Sequence, residues 1–150
     1  MMKSKRFEPI REIACASAKD LSRAMGEAGR KVAELEGKVE QLKSYRDDYV
    51  RNSQSPATID AVKLQNYRMF LDRLGEALRQ QLNSLGIARA EYDKRRALWT
   101  EKRIEAESLG RVVERFRKEE RHAADQREQR EGDDAALRVS LAARGETGNR

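Results

Sequence analysis

The sequence predicts an all-α fold: a long antiparallel two-helix coiled-coil hairpin whose second helix is longer than its first. Apolar residues recur with the alternating three- and four-residue spacing of a heptad seam over most of the 150 residues. Only two prolines occur, Pro9 and Pro56, which leaves both long stripes free of helix-breaking residues. Charged residues make up 39% and aromatic residues 5%, which favours an elongated helical protein over a compact globule. The clear periodicity argues against a disordered chain.

Helix one is predicted over residues 7–50, after a basic and flexible tail. Its start tolerates Pro9 in the first turn. Gly26 and Gly29 weaken the helix and, beside Ala28, leave a thin strip that another helix can approach closely. The seam consists of Phe7, Ala14, Leu21, Ala28, Leu35, Leu42 and Tyr49, interleaved with Arg11, Ala18, Met25, Val32, Val39 and Arg46.

A polar turn is predicted over residues 51–56 and helix two over residues 57–143. Ser55 and Pro56 are a suitable N-cap and first helical residue. A connection this short implies that the helices fold back antiparallel. The seam resumes at Leu71, Leu74, Leu78, Leu85, Ala88, Tyr92 and Trp99. We predict one domain over residues 1–150.

The seam weakens toward the end of helix two. If the turn is tight, residues beyond about 103 have no partner within the chain, because helix two is much longer than helix one. The seam carries Arg95 and Lys102, recovers with Ala106, Leu109, Val113 and Phe116, and fades from Glu120 to Asp134. The fading stretch, which contains Gly132, is either a frayed helix or one that is ordered on a partner. Residues 145–150 are predicted to be flexible.

The formal charge of +6 is spread along the chain among interspersed acids. This pattern is typical of solvated helix faces, and we favour it over a nucleic-acid surface. The local basic cluster comprises Arg89, Lys94, Arg95, Arg96, Lys102 and Arg103. Trp99 lies among these residues on the seam, so core packing is the favoured interpretation over stacking on bases.

Catalytic and metal-binding residues are not predicted, and neither is a cofactor. His122 is the only histidine and lies on a polar helix without convergent partners. Cys15 is the only cysteine and stands among alanines, as a small packing residue does. No secretory signal or run of 18 apolar residues is present, so we expect a soluble protein in the reducing cytoplasm.

An aromatic group is predicted at the turn end of the hairpin. Tyr45 and Tyr49 are four residues apart and share a face of helix one. An antiparallel return brings Tyr67 and Phe70 to the same region. Tyr45 and Phe70 are off the seam, so they either form a partner-binding patch or cover the edge of the core.

Four segments in this order resemble the FliJ family, the coiled-coil component of the bacterial flagellar type III export apparatus. Residues 41–49 carry Leu-x-x-Tyr-x-x-x-Tyr, similar to the end of the family's helix one. Residues 66–71 are similar to its Asn-Tyr-x-x-Phe entry into the second helix. Residues 99–102 begin with the tryptophan, and residues 128–134 carry Glu-Gln followed by paired aspartates. The likeness spans about residues 7–144.

The resemblance implies a non-enzymatic stalk and adaptor. Its expected partners are the export ATPase FliI and its regulator FliH, the cytoplasmic domain of the export-gate protein FlhA, and export chaperones. Through them the protein is expected at the inner face of the cell membrane, without nucleic acid. Matching positions imply a gate-binding surface formed or supported by Leu42, Tyr45, Tyr49, Phe70, Leu74, Ala77 and Gln81.

Three alternatives stay open at this point. A stalk protein of an injectisome secretion system shares the expected architecture. A nucleic-acid-binding coiled coil is motivated by the charge of +6 and the cluster around Arg95. A filament-forming coiled coil is the third, and it predicts lengthening that depends on concentration.

Overall fold

The computed structural model describes residues 2–52 and 60–147, and these ranges form two α-helices without a strand. Helix α1 spans Lys3–Asn52 and contains 50 residues. Helix α2 spans Ala61–Thr147 and contains 87 residues. The predicted fold class is confirmed, because two helices pack against each other and the second is the longer.

Both helices reach further than predicted. α1 begins four residues before the predicted start at 7, because Ser4 is anchored to α2 by hydrogen bonds described below. Pro9 therefore lies inside the helix rather than in its first turn. α2 continues past residue 143 to its end at Thr147, and Arg144 in its last turn complements the carbonyl end of the helix dipole.

The predicted turn over residues 51–56 is wrong at Arg51 and Asn52, which are helical. Arg51 donates a hydrogen bond to the carboxylate of Asp48 at 3.1 Å, and its charge favours the last turn of a helix. The predicted cap at Ser55 and Pro56, and the predicted start of helix two at residue 57, lie outside the described residues.

The chain divides into two compact units. The central unit comprises Ser17–Lys102. The terminal unit combines the start of α1, to Ala16, with α2 from Arg103 onward. The prediction of a single domain stays a prediction.

The central unit is built on the predicted seam. Its core cluster consists of Leu35, Val39, Leu78, Leu85 and Ala88, against which Val32 and Leu42 pack. Every member is a predicted seam residue, and these side chains are buried because seam positions are the only ones that face the other helix. The prediction from heptad spacing is therefore confirmed in this unit.

The helices of the central unit run antiparallel. Near the end of α1, Tyr49 stacks on Tyr67, with 5.1 Å between ring centroids. Further back along α1, Glu36 accepts a hydrogen bond from Arg89 at 3.1 Å. The residue number on α2 thus rises from 67 to 89 as the number of its partner on α1 falls from 49 to 36. The two helices therefore run antiparallel.

A seam arginine is accommodated by its own helix. Arg95 Nε donates to the carboxylate of Glu91 at 2.9 Å, and one terminal nitrogen lies 3.5 Å from the carbonyl oxygen of Ala24 on α1. The aliphatic part of Arg95 can therefore follow the seam while the guanidinium is hydrogen-bonded.

The terminal unit has its own small core. Ala14, Ala106 and Val113 are buried, and Val113 is fully enclosed. The rings of Phe7 and Phe116 lie 5.4 Å apart between centroids. The start of α1 therefore packs on the stretch of α2 for which the tight-turn argument predicted no intrachain partner.

That expectation for residues beyond about 103 is wrong as far as Glu120. A tight turn would place Tyr49 opposite the first residues of helix two, whereas Tyr49 contacts Tyr67 and Phe70. Pairing therefore starts about ten residues later on the second helix than a tight turn requires. Later residues of α2 are consequently available to the start of α1.

Beyond Glu120 the side chains leave the packed core. Residues 121–146 are all exposed, including Leu137, Val139 and Leu141. The helix nevertheless continues through Gly132. Loss of packing thus coincides with the predicted fading of the seam, while the helix itself is not interrupted.

Ser4 and Glu120 join the first turn of α1 to α2 in the terminal unit. The backbone N–H of Ser4 donates to one carboxylate oxygen of Glu120 at 3.0 Å, and its hydroxyl donates to the other at 2.6 Å. One turn away, Arg117 donates to Glu8 at 2.6 Å. The hydroxyl bond from Ser4, followed by the backbone bond, lowers the pKa of Glu120 below its ordinary value of 4.5.

Leu82 and Leu85 on α2 allow the assigned seam to be tested, because only one of them is buried. Leu85 is 4% exposed and Leu82 is 42% exposed. We expect Leu85→Ala to lower the free energy of unfolding by about 2–3 kcal/mol, because it removes buried methyl groups from a thin core. Leu82→Ala should change it by less than about 0.5 kcal/mol. Urea denaturation followed by far-UV circular dichroism measures both, and equal losses would contradict the assigned seam.

Acid should release the start of α1 from Glu120. Because the pKa of Glu120 is lower in the folded state, its contribution is complete above pH 4.5 and is lost as the pH falls through the lowered pKa. The exchange protection of the Ser4 amide proton, measured by NMR, should follow this loss. Glu120→Gln should abolish the pH dependence, whereas Glu119→Gln, at an exposed neighbour, should leave it unchanged.

Candidate partner-binding surface

The end of α1 and the start of α2 form an aromatic cluster of Tyr49, Tyr67 and Phe70. Tyr49 is at its centre, stacked on Tyr67 and 4.3 Å from Phe70 between ring centroids. Tyr49 and Tyr67 are half-buried, and both occupy seam positions. The cluster therefore continues the core to the last paired turns of the central unit, as the sequence predicted.

Tyr45, beside this cluster, and Phe70, at its edge, are the more exposed rings of this region. The side chain of Tyr45 is 67% exposed, and that of Phe70 is 38% exposed. The two explanations left open by the sequence apply to different residues. Phe70 covers the edge of the core through Tyr49, while Tyr45 presents most of its ring to solvent.

A depression of about 700 Å³ lies beside the cluster on α1. Four of the seven predicted binding residues line it: Leu42, Tyr45, Tyr49 and Gln81. Lys38 and Asp48 add one charge of each sign. Three apolar or aromatic side chains, Leu42, Tyr45 and Tyr49, therefore lie among six polar or charged ones. Aromatic rings are enriched in protein-binding patches.

The remaining three predicted residues stand outside this depression. Phe70 joins the aromatic cluster, and Leu74 and Ala77 are half-buried further along α2. The structure thus brings five of the seven residues into two adjoining features, and it places Leu74 and Ala77 in neither.

Sequence reasoning missed several lining residues on α1, including Lys38 and Asn52. A signal for them exists in the heptad: Lys38, Tyr45 and Asn52 are seven residues apart and form one stripe that flanks the seam. Gln41 and Asp48, also seven apart, lie on the next stripe outward. The heptad therefore identifies the flank positions on either side of Tyr45 as further candidates for the binding surface.

Gln81 is a polar residue at a seam position. Its carbonyl oxygen Oε1 is shielded from solvent and accepts no hydrogen bond from the residues that the structure describes. Buried amide oxygens are normally hydrogen-bonded, so this atom is an unusual feature of the surface.

Within residues 2–52 and 60–147, no group of three or more histidine, cysteine or acidic side chains is arranged to hold a metal ion. Cys15 is exposed and unpaired with another cysteine. Neither described helix is apolar over a length sufficient to cross a bilayer.

A comparison with known protein families matches residues 2–145 to the family described as Flagellar FliJ protein. The match covers nearly the whole chain, including every residue of the predicted binding surface. Neither the curated proteins nor the solved structures gave a significant match.

Tyr45 and Tyr49 are one turn apart, but only Tyr49 packs against other rings. We expect Tyr49→Ala to lower the free energy of unfolding by about 1–2 kcal/mol, because two ring contacts are lost. Tyr45→Ala, which removes a mostly exposed ring, should change it by less than about 0.5 kcal/mol. Thermal unfolding with amide hydrogen exchange at residues 61–70 reports both effects. A larger loss for Tyr45→Ala would contradict the central position of Tyr49.

Proposed function

Since the chain belongs to the flagellar FliJ protein family, we propose that it acts as a non-enzymatic stalk and adaptor in flagellar type III export. In this role it links the export ATPase to the export gate and assists the delivery of chaperone-bound substrates. The single observation that supports the adaptor role best is the aromatic cluster with the exposed ring of Tyr45 beside it.

The gate-binding surface is proposed on the side of the aromatic cluster. Leu42, Tyr45 and Gln81 line its depression, and Phe70 borders it through Tyr49. Leu74 and Ala77 are proposed as supporting residues on α2. The partner is the cytoplasmic domain of the gate protein FlhA. Exposed aromatic rings suit this contact because they bury a large area with few rotatable bonds.

The stalk is proposed in the terminal unit, where the start of α1 pairs with α2. Its partners would be the export ATPase FliI and the regulator FliH. Support comes from the antiparallel pairing that Phe7, Phe116 and Glu120 maintain and from the charged exterior. Exposed ion pairs contribute about 0–1 kcal/mol each, so such a surface suits transient association with a ring ATPase.

Export chaperones complete the proposed set of partners. The protein is proposed to be cytoplasmic and to reach the inner face of the membrane through the ATPase and the gate. The injectisome alternative is less favoured because the matched family is flagellar. Nucleic-acid binding is also less favoured, because Arg95 in the basic cluster already pairs with Glu91.

The double variant Tyr45→Ala with Phe70→Ala tests the gate-binding surface. We expect the helix content to be unchanged and the affinity for the purified gate domain to fall at least about tenfold, since two aromatic contacts are removed. Isothermal titration calorimetry gives the affinity, and circular dichroism gives the helix content.

Ile13→Ala with Ile104→Ala is the matched control. These side chains are 71% and 54% exposed and belong to the terminal unit, so they share exposure but not location. Gate affinity should be unchanged in this control. Equal affinity of the aromatic double variant and the unaltered chain would show that the gate binds elsewhere.

A further inference from the structure

A second depression continues the first along the central unit. It has a volume of about 660 Å³ and extends to Ala28 on α1 and Glu91 on α2. Lys38 and Gln81 line both depressions, so the two form one groove. From Ala28 to Asn52 the groove follows α1 for roughly 36 Å at 1.5 Å per residue. That length accommodates an α-helix of about 24 residues.

The heptad explains why a groove forms on this side. Lys31, Lys38, Tyr45 and Asn52 repeat every seven residues along α1 and form one wall. Ser84 and Glu91 repeat in the same way along α2 and form the other. In an antiparallel pair these flanks run beside each other, with the seam as the floor. A third helix laid in such a groove meets the seam from one side.

The groove contains apolar side chains that the two helices leave uncovered. Ile87 is 67% exposed at one end and Tyr45 is 67% exposed at the other. Leu35 and Leu42 form the floor between them. An occupant with an apolar stripe along its whole length would cover Ile87 and Tyr45 and pack over the floor between them.

Gln81 places a hydrogen-bond acceptor in the middle of the groove, and an occupant would need a donor to match it. Its carbonyl oxygen accepts no hydrogen bond from the described residues, although the side chain lines both depressions. A rotation of the terminal amide would direct this acceptor into the groove. An occupant with a side-chain N–H at this level would satisfy it.

The charged residues of the walls determine which charge an occupant should carry. The acids are engaged by neighbours on their own helices: Glu34 by Lys38 at 3.5 Å, Asp48 by Arg51 at 3.1 Å and Glu91 by Arg95 at 2.9 Å. Lys31 has no ion pair with a described residue. It lies one heptad from Lys38 on the same wall, so a carboxylate on the occupant would complement it.

We propose that the groove receives one amphipathic α-helix of a partner protein, forming a local three-helix bundle. The helix carries an apolar stripe, an asparagine or glutamine facing Gln81, and an acidic residue one heptad away facing Lys31. This inference deepens the proposed adaptor function and rests on it, because Tyr45 and Leu42 belong to both surfaces.

A synthetic peptide of about 24 residues tests the groove on the full chain. It carries leucine at both seam positions of each heptad, one asparagine in the middle and one glutamate a heptad away. Fluorescence anisotropy should show saturable binding of the labelled peptide, and a scrambled peptide should not bind. Absence of saturable binding up to about 1 mM would overturn the proposal.

Matched variants locate the contact. Ile87→Glu should weaken binding at least about tenfold, and Ile13→Glu, at an equally exposed isoleucine outside the groove, should not. Lys31→Glu should weaken binding up to about fivefold, and a peptide with lysine in place of its glutamate should restore it. Equal effects at Ile87 and Ile13, or no rescue by charge reversal, would overturn the proposal.

Two further measurements separate the alternatives. If the full chain self-associates by sedimentation and Ile87→Glu makes it monomeric, the groove holds a second copy and the partner-helix proposal is wrong. If Tyr45→Ala with Phe70→Ala leaves gate affinity unchanged while the peptide still binds through Ile87 and Lys31, the gate-binding proposal fails and the groove proposal stands.

Discussion

One seam holds each unit together, and the other properties of the structure depend on it. Two packed helices have no second layer, so residues at seam positions are the only ones that can be buried. In the central unit these are the five residues around Leu35 and Leu85, and in the terminal unit Val113 is the most enclosed. Flank positions must then carry charge, and any apolar residue placed there, such as Tyr45 or Ile87, is exposed. The exposed apolar side chains of the proposed surfaces, Tyr45 and Ile87, consequently lie beside the seam and not in it.

The register between the helices determines which flank residues are neighbours. It is fixed at one place by stacking of Tyr49 on Tyr67 and at another by the bond between Glu36 and Arg89. A shift of one heptad would keep leucines opposite leucines but would separate the rings. The aromatic contacts therefore contribute specificity in addition to stability, because aliphatic seam residues discriminate poorly between registers.

Features that depend on neighbouring residues in the sequence were predictable, whereas some features that depend on contacts between distant residues were not. The buried seam was predictable because heptad spacing is local, and Leu78 and Leu85 occupy the expected places. The start of α1 was not, because it depends on Ser4 meeting Glu120, 116 residues away. The aromatic cluster followed from an antiparallel return. The heptad also places Lys38 on the same flank stripe as Tyr45, but only the three-dimensional neighbours show that this stripe lines a groove.

Polar residues at seam positions are handled in two different ways. Arg95 is satisfied by Glu91 and lies near a backbone carbonyl, so its presence costs the fold little. Gln81 has no such partner among the described residues, so its carbonyl oxygen is satisfied only when the terminal amide turns toward the groove. A leucine at this place would remove the polar group and extend the core between Leu78 and Leu85. In coiled coils a polar seam residue lowers stability while it specifies the partner and its alignment. The position of Gln81, at the junction of two depressions, is where that specification would act on a third helix.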